Sequence, residues 1–505
     1  MKICLIRPSI VVPAANQTTM MTPPLGLAYV AGSLRSVGHD VQLIDAVGED
    51  IECKHPYKED CFIFGLTPQQ TVEKIISEVD VVGVAFGFSF EWPYCRDLTK
   101  LIRKRFPDIL LLGGGEHASA EPEQTLKDSE IDIIVMGEGE ETVVELMGAY
   151  AFKPFIREEV PGIAYLSSKN QLMLTDKRGR IRDINKIPRP AWDLMPIESY
   201  LDRGLGFGVN RGRSMPVFGS RGCPYQCTFC SNPTMWTTRW IPRDPDDLLD
   251  ELEYYQKEYG AENFDFYDLT AIVKKSWIID FCTKIEERGM KFFWQLPSGT
   301  RSEAIDDEVS GWLYRTGCRN LSYSPESGSP SVLARIKKKI KVDSVVKSIG
   351  SAYKQGLNVK CNIIFGFPEE TLKEVFQSYL FIARMAIAGA YDISIWGFSP
   401  YPGSELFETI KNDKNLVLDD AYYDSLRSYA DTENTISYSE NFSDKRLKLL
   451  RRIGVMIFYV TSWLVRPYRP IKIIINVIRN KQESRAEMGI LNVLRRNRLK
   501  ITPVN

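Results

Sequence analysis

Short apolar runs alternate with amphipathic segments over the first 150 residues. Five apolar runs predict strands, at residues 2–7, 40–44, 81–86, 109–113 and 131–136. Segments with a helical period separate them, as at residues 26–37 and 95–105. This alternation is typical of a parallel sheet with helices on both of its faces. We therefore predict an α/β domain over residues 1–150.

The same alternation resumes on a larger scale after residue 214. Six runs predict strands, at residues 215–219, 263–267, 291–296, 320–324, 358–365 and 392–398. Helical segments lie between them, as at residues 246–258, 275–288 and 373–388. Repeated βα units that place functional groups at strand ends indicate an open or closed β/α barrel. We expect this barrel to occupy residues 211–405.

The two remaining regions differ from both α/β units. Residues 151–210 form a predicted connector, with a small hairpin at residues 162–166 and 172–174 and a Pro-rich crossing at residues 187–194. Residues 406–505 form a basic, mainly helical region. Its apolar run at residues 453–465 is shorter than the ~20 residues that a membrane span needs. That run either packs on the barrel as part of a helical pair or lies as a basic amphipathic surface on an anionic membrane.

Composition narrows the class of protein. The chain has 505 residues, 44% of them hydrophobic, and a net charge of -1, so nothing global points to nucleic acid. Ten cysteines in a chain of this length do not make a disulfide scaffold, and the amino terminus carries no signal peptide. We therefore expect a cytoplasmic protein.

One short loop carries three of the cysteines. Cys223, Cys227 and Cys230 follow the predicted strand at residues 215–219 with the spacing C-x3-C-x2-C. Thiolates at this spacing can hold three irons of a cubane 4Fe–4S cluster and leave the fourth iron open to a small chelating ligand. A zinc knuckle is the alternative, but zinc sites use paired C-x2-C or Cys/His sets, and no histidine is near. An open iron indicates chemistry at the cluster.

Glycines mark the predicted strand ends of the first domain, where ligands of parallel sheets bind. Gly87 follows one strand, residues 113–119 follow another, and Gly137 and Glu138 open the last helix. Glycine lets the backbone approach a ligand closely. A dinucleotide site is disfavoured because G-x-G-x-x-G does not follow the first strand, while a domain without any cofactor stays open.

The chain has only three histidines. His39 is predicted at the surface and His55 in a polar loop. His117 lies at a predicted strand end, where it either touches a cofactor or packs.

The cysteine loop resembles the signature of the radical S-adenosylmethionine (SAM) enzymes. Residues 23–31, 38–41, 113–118 and 137–140 resemble the cobalamin-binding domain that precedes many radical SAM modules. Together these resemblances run over most of residues 1–405. They imply a Rossmann-like cobalamin-binding domain, a partial (β/α)6 barrel and three cofactors, namely a 4Fe–4S cluster, SAM and cobalamin. Many cobalamin domains carry D-x-H-x-x-G, whose His ligates cobalt. Residues 7–16 lack it, as is common in the radical SAM branch, which implies an unusual cobalt environment.

The family's site residues carry over onto matching positions. Cys223, Cys227 and Cys230 would hold the cluster, and Phe229 would lie by the bound SAM. Further matches lie in residues 264–270, which lack the usual Gly-Gly-Glu, and in residues 325–329, 362–371 and 399–404. They imply SAM contacts by Asp268, Glu326, Ser327 and Gly366, and cobalamin contacts by Gly87, Gly114, Gly115, His117, Gly137 and Glu138. Residues 337–339 are predicted to be a solvated helix face, with a substrate role as the alternative.

The resemblance implies a cobalamin-dependent radical SAM enzyme. It favours C-methylation of an unactivated carbon with a 5′-deoxyadenosyl radical and methylcobalamin. The alternative is an oxidative cyclase or rearrangement enzyme acting on a tetrapyrrole or other hydrophobic metabolite. A cobalamin-sensing regulator and a methylthiotransferase fit less well, because neither a helix-turn-helix nor an amino-terminal set of cluster cysteines is found.

Expected partners follow from this reading. They are a small-molecule substrate of hydrophobic character, an external electron donor of flavodoxin or ferredoxin type, and no nucleic acid. The C-terminal region would make peripheral contact with the inner face of the membrane.

Overall fold

Two parallel sheets and a set of C-terminal helices make up the structure, a computed structural model. It describes residues 1–13, 21–58, 61–152, 154–431, 433–496 and 500–501. Residues 14–20, 59–60, 153, 432, 497–499 and 502–505 lie outside this part, and with them the end of the segment at residues 7–16 discussed above.

The amino-terminal part runs from the first strand to a hairpin that ends at residue 174. Its elements in chain order are β1 Lys2–Arg7, β2 Ile10–Pro13, α1 Leu25–Ser36, β3 Asp40–Asp45, β4 Cys53–Tyr57, β5 Cys61–Phe64, α2 Pro68–Glu73, β6 Val81–Ala85, α3 Trp92–Arg105, β7 Leu110–Gly114, α4 Glu116–Ala120, α5 Pro122–Asp128, β8 Ile133–Val135, α6 Gly139–Tyr150, β9 Ile163–Leu166 and β10 Leu172–Leu174.

The main sheet of this part is parallel, as predicted. Strands β3, β1, β6, β7 and β8 lie side by side in that order, and every neighbouring pair is parallel. Val81, Val82 and Val84 of the central strand β6 are all buried, as expected where helices cover both faces of a sheet. The hairpin β9–β10 adds two antiparallel strands beyond β8. The hairpin of the predicted connector therefore forms the edge of the first sheet.

A small antiparallel sheet beside the main one has no counterpart in the sequence predictions. Strand β5 pairs with both β2 and β4. His55 lies in β4 and is 3% exposed, so its prediction as a residue of a polar loop is wrong. Strand β4 has only five residues, with Lys54 and His55 side by side, so no strand period emerges from the sequence.

The second part contains the predicted six-stranded partial barrel. Its elements, after the connector helix α7 Ile197–Leu201, are β11 Ser214–Val217, β12 Ser220–Arg221, α8 Asn232–Trp236, β13 Ile241–Pro242, α9 Pro245–Tyr259, β14 Asn263–Phe266, α10 Lys275–Glu287, β15 Phe293–Thr300, α11 Asp307–Arg315, β16 Cys318–Glu326, α12 Pro330–Arg335, α13 Val342–Lys354, β17 Asn358–Phe365, α14 Leu372–Ala388 and β18 Asp392–Gly397. Strands β11, β14, β15, β16, β17 and β18 are neighbours in that order and all parallel, which confirms the (β/α)6 prediction.

The interior of this barrel is polar. Along β17, Val359, Cys361 and Ile363 are fully buried against the helices, while the alternate residues Lys360 and Asn362 face inward and are only half-buried. Successive side chains of a strand point to opposite faces, so the two sets line the outside and the inside of the sheet. The barrel therefore offers hydrogen-bonding groups to whatever enters it.

The C-terminal helices brace the barrel and close its lower end. They are α15 Glu405–Asp413, α16 Asp420–Ser425, α17 Asp444–Val465, α18 Tyr468–Ile478 and α19 Arg485–Arg496, followed by the short strand β19 Lys500–Ile501 beside β4. Helix α17 packs along α14 and β18, and its Phe458 is fully buried. The carbonyl oxygen of Glu483 accepts 2.9 Å hydrogen bonds from the side chains of Asn320 and Asn358 at the amino-terminal ends of β16 and β17. Among the described residues, no helix is both long and apolar enough to cross a membrane.

Candidate active site

The cysteine loop begins at Gly222, a position whose backbone conformation and close surroundings require a glycine. Gly222 has a φ of +80°, and a Cβ there would lie 2.3 Å from the carbonyl oxygen of Arg239. Directly after this turn, Cys223, Cys227 and Cys230 follow as free, half-buried thiols. The three thiols lie close enough to interact, since burial raises the pKa of Cys230 and the charges of Cys227 and Cys223 raise it further.

Contacts from three other segments fix the loop. The Thr228 N–H donates to the carbonyl oxygen of Ile336 at 3.1 Å, and the Leu406 N–H donates to that of Thr228 at 2.8 Å. The Arg301 guanidinium lies 3.8 Å from the ring centroid of Tyr225. A loop held at three points keeps its thiols in place before any metal binds.

The donor set fits a cubane cluster better than a single metal ion. In the described part of the chain, no three His, Cys, Asp or Glu side chains converge closely enough to hold one ion. A cubane offers a separate iron to each thiolate, so such convergence is not needed. Burial raises the pKa of Cys230 to about 12, and iron would deprotonate that thiol on binding. The three cysteines therefore fit a cluster held by three thiolates.

Asp268 is turned towards the segment that leads into this loop. Its carboxylate accepts hydrogen bonds from the Gly219 N–H at 3.0 Å and from the Ser220 hydroxyl. Burial raises the pKa of Asp268 to about 6, while these hydrogen bonds lower it. The structure thus places Asp268 beneath the cysteine loop, as a group that fixes the backbone before it.

Glu326 and Ser327 lie at the carboxyl end of β16, as predicted from their motif. Glu326 has a φ of +66°, and its carboxylate is 3.0 Å from the Lys338 ammonium. Ser327 is fully buried and lies 3.1 Å from the Ser378 hydroxyl. Lys338 is only 11% exposed, so its prediction as part of a solvated helix face is wrong.

Arg301 is a site residue that the sequence did not identify, and Lys338 is one for which the sequence favoured a solvated face over a role in the site. The Lys338 ammonium lies 6.0 Å from the ring centroid of Phe229. Burial raises the pKa of Cys227, whereas the charges of Lys338 and Arg301 lower it. These cations come from different βα units, and only the fold brings them to the thiols.

Phe229 and Gly366 pack against other parts of the protein. The Phe229 ring lies 5.8 Å from that of Phe367. Gly366 has a φ of +87°, and a Cβ there would lie 2.7 Å from a methyl group of Leu447. The space beside Gly366 is therefore occupied by helix α17.

The predicted cobalamin residues lie along one edge of the amino-terminal sheet. Gly87 is exposed, and a Cβ there would meet nothing within 4 Å. A Cβ at Gly114 would lie 3.6 Å from a backbone oxygen of its own sheet, and one at Gly115 would lie 2.4 Å from the Phe86 oxygen. Gly137 approaches the barrel, with Met235 of α8 as its neighbour at 3.6 Å. This edge faces the barrel and is open at Gly87.

Glu138 belongs to a buried ionic network between the two domains. Its carboxylate lies 2.6 Å from Arg180 and 3.3 Å from Arg221, and Arg221 lies 2.6 Å from Glu140. Arg221 is two residues before Cys223. The network therefore ties the glycine-rich edge to the start of the cysteine loop, a role for Arg221 that no sequence motif indicates.

His117 is packed inside the amino-terminal domain. It is 1% exposed, its Nδ1 lies 3.1 Å from the Ser89 hydroxyl, and its ring is 4.8 Å from that of Trp92 and 5.5 Å from that of Tyr423. Burial lowers the pKa of His117 to about 3, so the imidazole is neutral at ordinary pH. Within the described residues, its Nε2 has no hydrogen-bond partner.

A cavity of about 640 Å³ lies between the two domains. Val11 and Phe88 contribute to its wall from the amino-terminal domain, and Phe88 is next to Gly87. Tyr267 contributes from the barrel, immediately before Asp268. The volume suits a small organic molecule. Both domains therefore contribute to the wall of one chamber.

Two family models match separate parts of the chain. Residues 13–147 match the model of the B12 binding domain, and residues 217–382 match that of the radical SAM superfamily. The chain is 29% identical to the uncharacterised methyltransferase PH0819 of Pyrococcus horikoshii over 92% of this chain and 94% of that protein. It is 27% identical to the anaerobic magnesium-protoporphyrin IX monomethyl ester cyclase of Rubrivivax gelatinosus, over 79% of this chain and 68% of that one.

A solved structure shares the fold. It is that of the radical SAM methyltransferase TsrM from Kitasatospora setae, with cobalamin and a [4Fe-4S] cluster bound. The two chains are 17% identical, with a TM-score of 0.64 over 82% of this chain and 78% of that one. With a B12-binding domain ahead of a radical SAM barrel, the chain is a cobalamin-dependent radical SAM enzyme.

Proposed function

We propose that the protein methylates an unactivated carbon of a small-molecule substrate. The observation that carries this proposal is the cavity, whose wall combines Phe88, the neighbour of Gly87 in the amino-terminal domain, with Tyr267, the neighbour of Asp268 in the barrel. Two cofactors of different chemistry would thus serve one substrate. The relative that this chain matches over 92% of its length is also named a methyltransferase.

The chain's own residues would hold and orient the cofactors. Cys223, Cys227 and Cys230 hold the cluster, which supplies the electron for SAM cleavage, while cobalamin supplies a transferable methyl group. Phe229, Glu326 and Ser327 would contact SAM, Gly366 could approach it only with its backbone because α17 fills the space beside it, and Asp268 would keep the loop backbone in place. Lys338 and Arg301 would add positive charge beside the thiols, which suits the carboxylate of SAM.

On the other side, Gly87, Gly114, Gly115 and Gly137 would let the backbone approach cobalamin. Glu138 would position this edge through Arg180 and Arg221, and His117 would support it by packing. An external donor of flavodoxin or ferredoxin type would reduce the cluster.

Product analysis tests the proposal. The anaerobically reconstituted protein is incubated with a reductant, candidate substrates and SAM that carries a ¹³C-methyl group. We expect a product that has gained the labelled carbon, together with 5′-deoxyadenosine. A transformed product that lacks the label would instead establish an oxidative cyclase or rearrangement enzyme, the activity suggested by the name of the Rubrivivax relative.

We also infer that the C-terminal helices contact an anionic membrane. Ile471, Ile474 and Ile478 lie on one face of α18 and are 60%, 59% and 78% exposed, and Leu464 at the end of α17 is 78% exposed. Apolar side chains this exposed on adjacent helices mark an interaction surface. Between residues 444 and 500 the sequence has fifteen Lys and Arg against three acidic residues, and of these arginines Arg451, Arg466 and Arg469 are buried. Such a combination is typical of a helix that lies in the headgroup region.

A further inference from the structure

One lysine in the barrel interior has no anionic partner. Lys360 faces inward from β17 and lines the cavity. Its ammonium lies 5.5 Å from the ring centroid of Trp396 on the neighbouring strand. It forms no hydrogen bond or ion pair with any residue that the structure describes. Burying a cation without a partner costs free energy, so such groups are found mainly where a ligand supplies the partner.

The nearest carboxylate of the barrel is already engaged. Asp392 is the register neighbour of Lys360 on β18. Its two oxygens accept hydrogen bonds from the Arg485 N–H at 2.7 Å and the Ala486 N–H at 3.3 Å. Burial and, to a smaller extent, the charge of Arg485 lower the pKa of Lys360 to about 7, although the charge of Asp392 acts in the opposite direction. Near neutral pH this lysine therefore alternates between its charged and neutral forms.

The other cationic side chains at the cavity, those of three arginines, donate hydrogen bonds to the protein itself. The Arg451 guanidinium donates to three backbone carbonyls and to Thr435, and Arg427 donates to the Phe90 carbonyl and pairs with Asp424. Arg485 also lines the cavity and donates to the carbonyl of Phe207. Most of their donors are engaged, although the Arg427 Nε is buried without a hydrogen-bond partner, and all three guanidinium groups keep their charge. Lys360 is thus the cation of this wall whose ammonium has no hydrogen-bond or ion-pair partner at all among the described residues.

The balance of charge around the cavity favours an anion. Lys360, Arg427, Arg451 and Arg485 face it, against Glu91 and Asp392. Burial raises the pKa of both carboxyl groups, that of Glu91 to about 7. The tyrosines at the wall, Tyr267, Tyr429 and Tyr459, have pKa values raised by burial and stay neutral. Aromatic rings cover much of the remaining surface, among them those of Phe88, Phe207 and Trp396.

We propose that Lys360 binds a carboxylate of the substrate and that the substrate is an acid with a largely apolar, ring-containing body. A carboxylate suits the site better than a phosphate, because one ammonium offers a single charge and most of the arginine donors are engaged. The proposal rests on the proposed function, since it takes this cavity as the substrate chamber. It also gives the expected hydrophobic substrate a polar end.

Binding of a matched pair of probes tests the proposal on the protein loaded with cluster and cobalamin. The probes are 1-pyrenebutyrate and the uncharged 1-pyrenebutanol, and equilibrium dialysis measures their affinity without interference from cofactor absorption. At pH 6, where Lys360 is protonated, we expect the acid to bind at least about tenfold more tightly than the alcohol. The preference should decline above pH 7, as Lys360 loses its proton.

Two variants assign the effect. Lys360→Met should remove the preference for the acid while the alcohol still binds, which also establishes that the variant folds. Lys360→Arg should keep the preference for the acid up to pH 9, because the guanidinium stays charged. If the preference of Lys360→Arg still declined above pH 7, the group that titrates would be Glu91 and not Lys360. Lys373→Met, which removes an exposed lysine from α14, should behave as the unaltered protein.

Equal binding of acid and alcohol at pH 6, or an acid preference that survives in Lys360→Met, would overturn the proposal. The outcomes are separate from those of the methylation assay. An acid preference without labelled product would refute only the proposed methylation, and labelled product without acid preference would refute only the role of Lys360.

Discussion

At the scale of single residues, the three loop cysteines differ from the other seven in sharing one short, anchored loop. We expect the anaerobically reconstituted protein to bind about one cubane cluster and the combined change of Cys223, Cys227 and Cys230 to Ala to abolish it, because three irons lose their ligands. Iron content and the visible absorption of the cluster measure the effect. Cys53→Ala, at a half-exposed thiol of β4, is the matched control and should keep the cluster. A triple variant that keeps cluster and SAM cleavage would contradict the assignment.

A second prediction at this scale concerns His117. Its ring is held between Trp92 and Tyr423, and residues 7–16 contain no histidine. We therefore expect cobalt to have no imidazole ligand from the protein. Electron paramagnetic resonance of the reduced cobalamin, recorded on protein labelled uniformly with ¹⁵N, makes the check. If a protein imidazole were bound to cobalt, its nitrogen hyperfine splitting would change from three lines with ¹⁴N to two lines with ¹⁵N. The splitting from the cofactor's own base would stay at three lines, because the cofactor is not labelled.

An unaltered spectrum in both the labelled protein and His117→Gln is the expected result. If the spectrum of the labelled protein showed two-line splitting that vanished in His117→Gln, the histidine would be a cobalt ligand.

At the scale of elements, a glycine sets how closely α17 approaches the barrel. A Cβ at Gly454 would lie 2.4 Å from the Ile395 Cδ1 and 3.4 Å from Phe365. Gly454→Ala should therefore lower the free energy of unfolding by roughly 1–3 kcal/mol, through overpacking. Gly148→Ala is the matched control, since Gly148 also lies in a helix but has open space around it. It should raise that free energy by roughly 0.4–1 kcal/mol.

Denaturant unfolding of both variants measures the difference. Equal effects of the two substitutions would mean that α17 does not pack tightly on β18.

Elements with a long, regular pattern could be predicted from the sequence, and contacts between distant segments could not. Strands β1, β14 and β17 are found within one residue of their predicted bounds, because their apolar runs are flanked by clear helical periods. The small sheet of β2, β4 and β5 was missed, since each strand is short. The cysteine loop could be found because its spacing is local. Lys338, Arg301, Arg221 and Lys360 owe their positions to tertiary packing, which leaves no local signal.

At the scale of the whole molecule, the exposed isoleucines of α18 decide whether the protein binds membranes. We expect the full chain to float with anionic vesicles of phosphatidylglycerol and phosphatidylcholine at low salt. Each Lys or Arg near such a surface contributes about 1 kcal/mol, and salt screens it with a Debye length of about 10 Å at 0.1 M. Ile471→Ser, Ile474→Ser and Ile478→Ser together should abolish flotation.

The matched control replaces three exposed apolar residues elsewhere, Val37, Leu174 and Val417, with Ser and should still float. Substitutions are preferred to removal of the tail, because Leu447 and Phe458 belong to the barrel core. Flotation that is equal in both triple variants, or absent in the unaltered protein, would make the tail helices a structural cap only.

The closure of the barrel by Glu483 and Arg485 also sets the order in which the protein can mature on the ribosome. Domains generally fold as they emerge during synthesis. The strands of the barrel leave the ribosome well before the residues that bind Asn320, Asn358 and Asp392 at their lower ends. Until residues 483–486 have been synthesised, these polar groups stay hydrated and the barrel stays open at the amino-terminal ends of its strands. Nascent chains cut short before residue 483 would therefore be substrates for chaperones and proteases, and cluster insertion into a finished site has to follow release of the nearly complete chain.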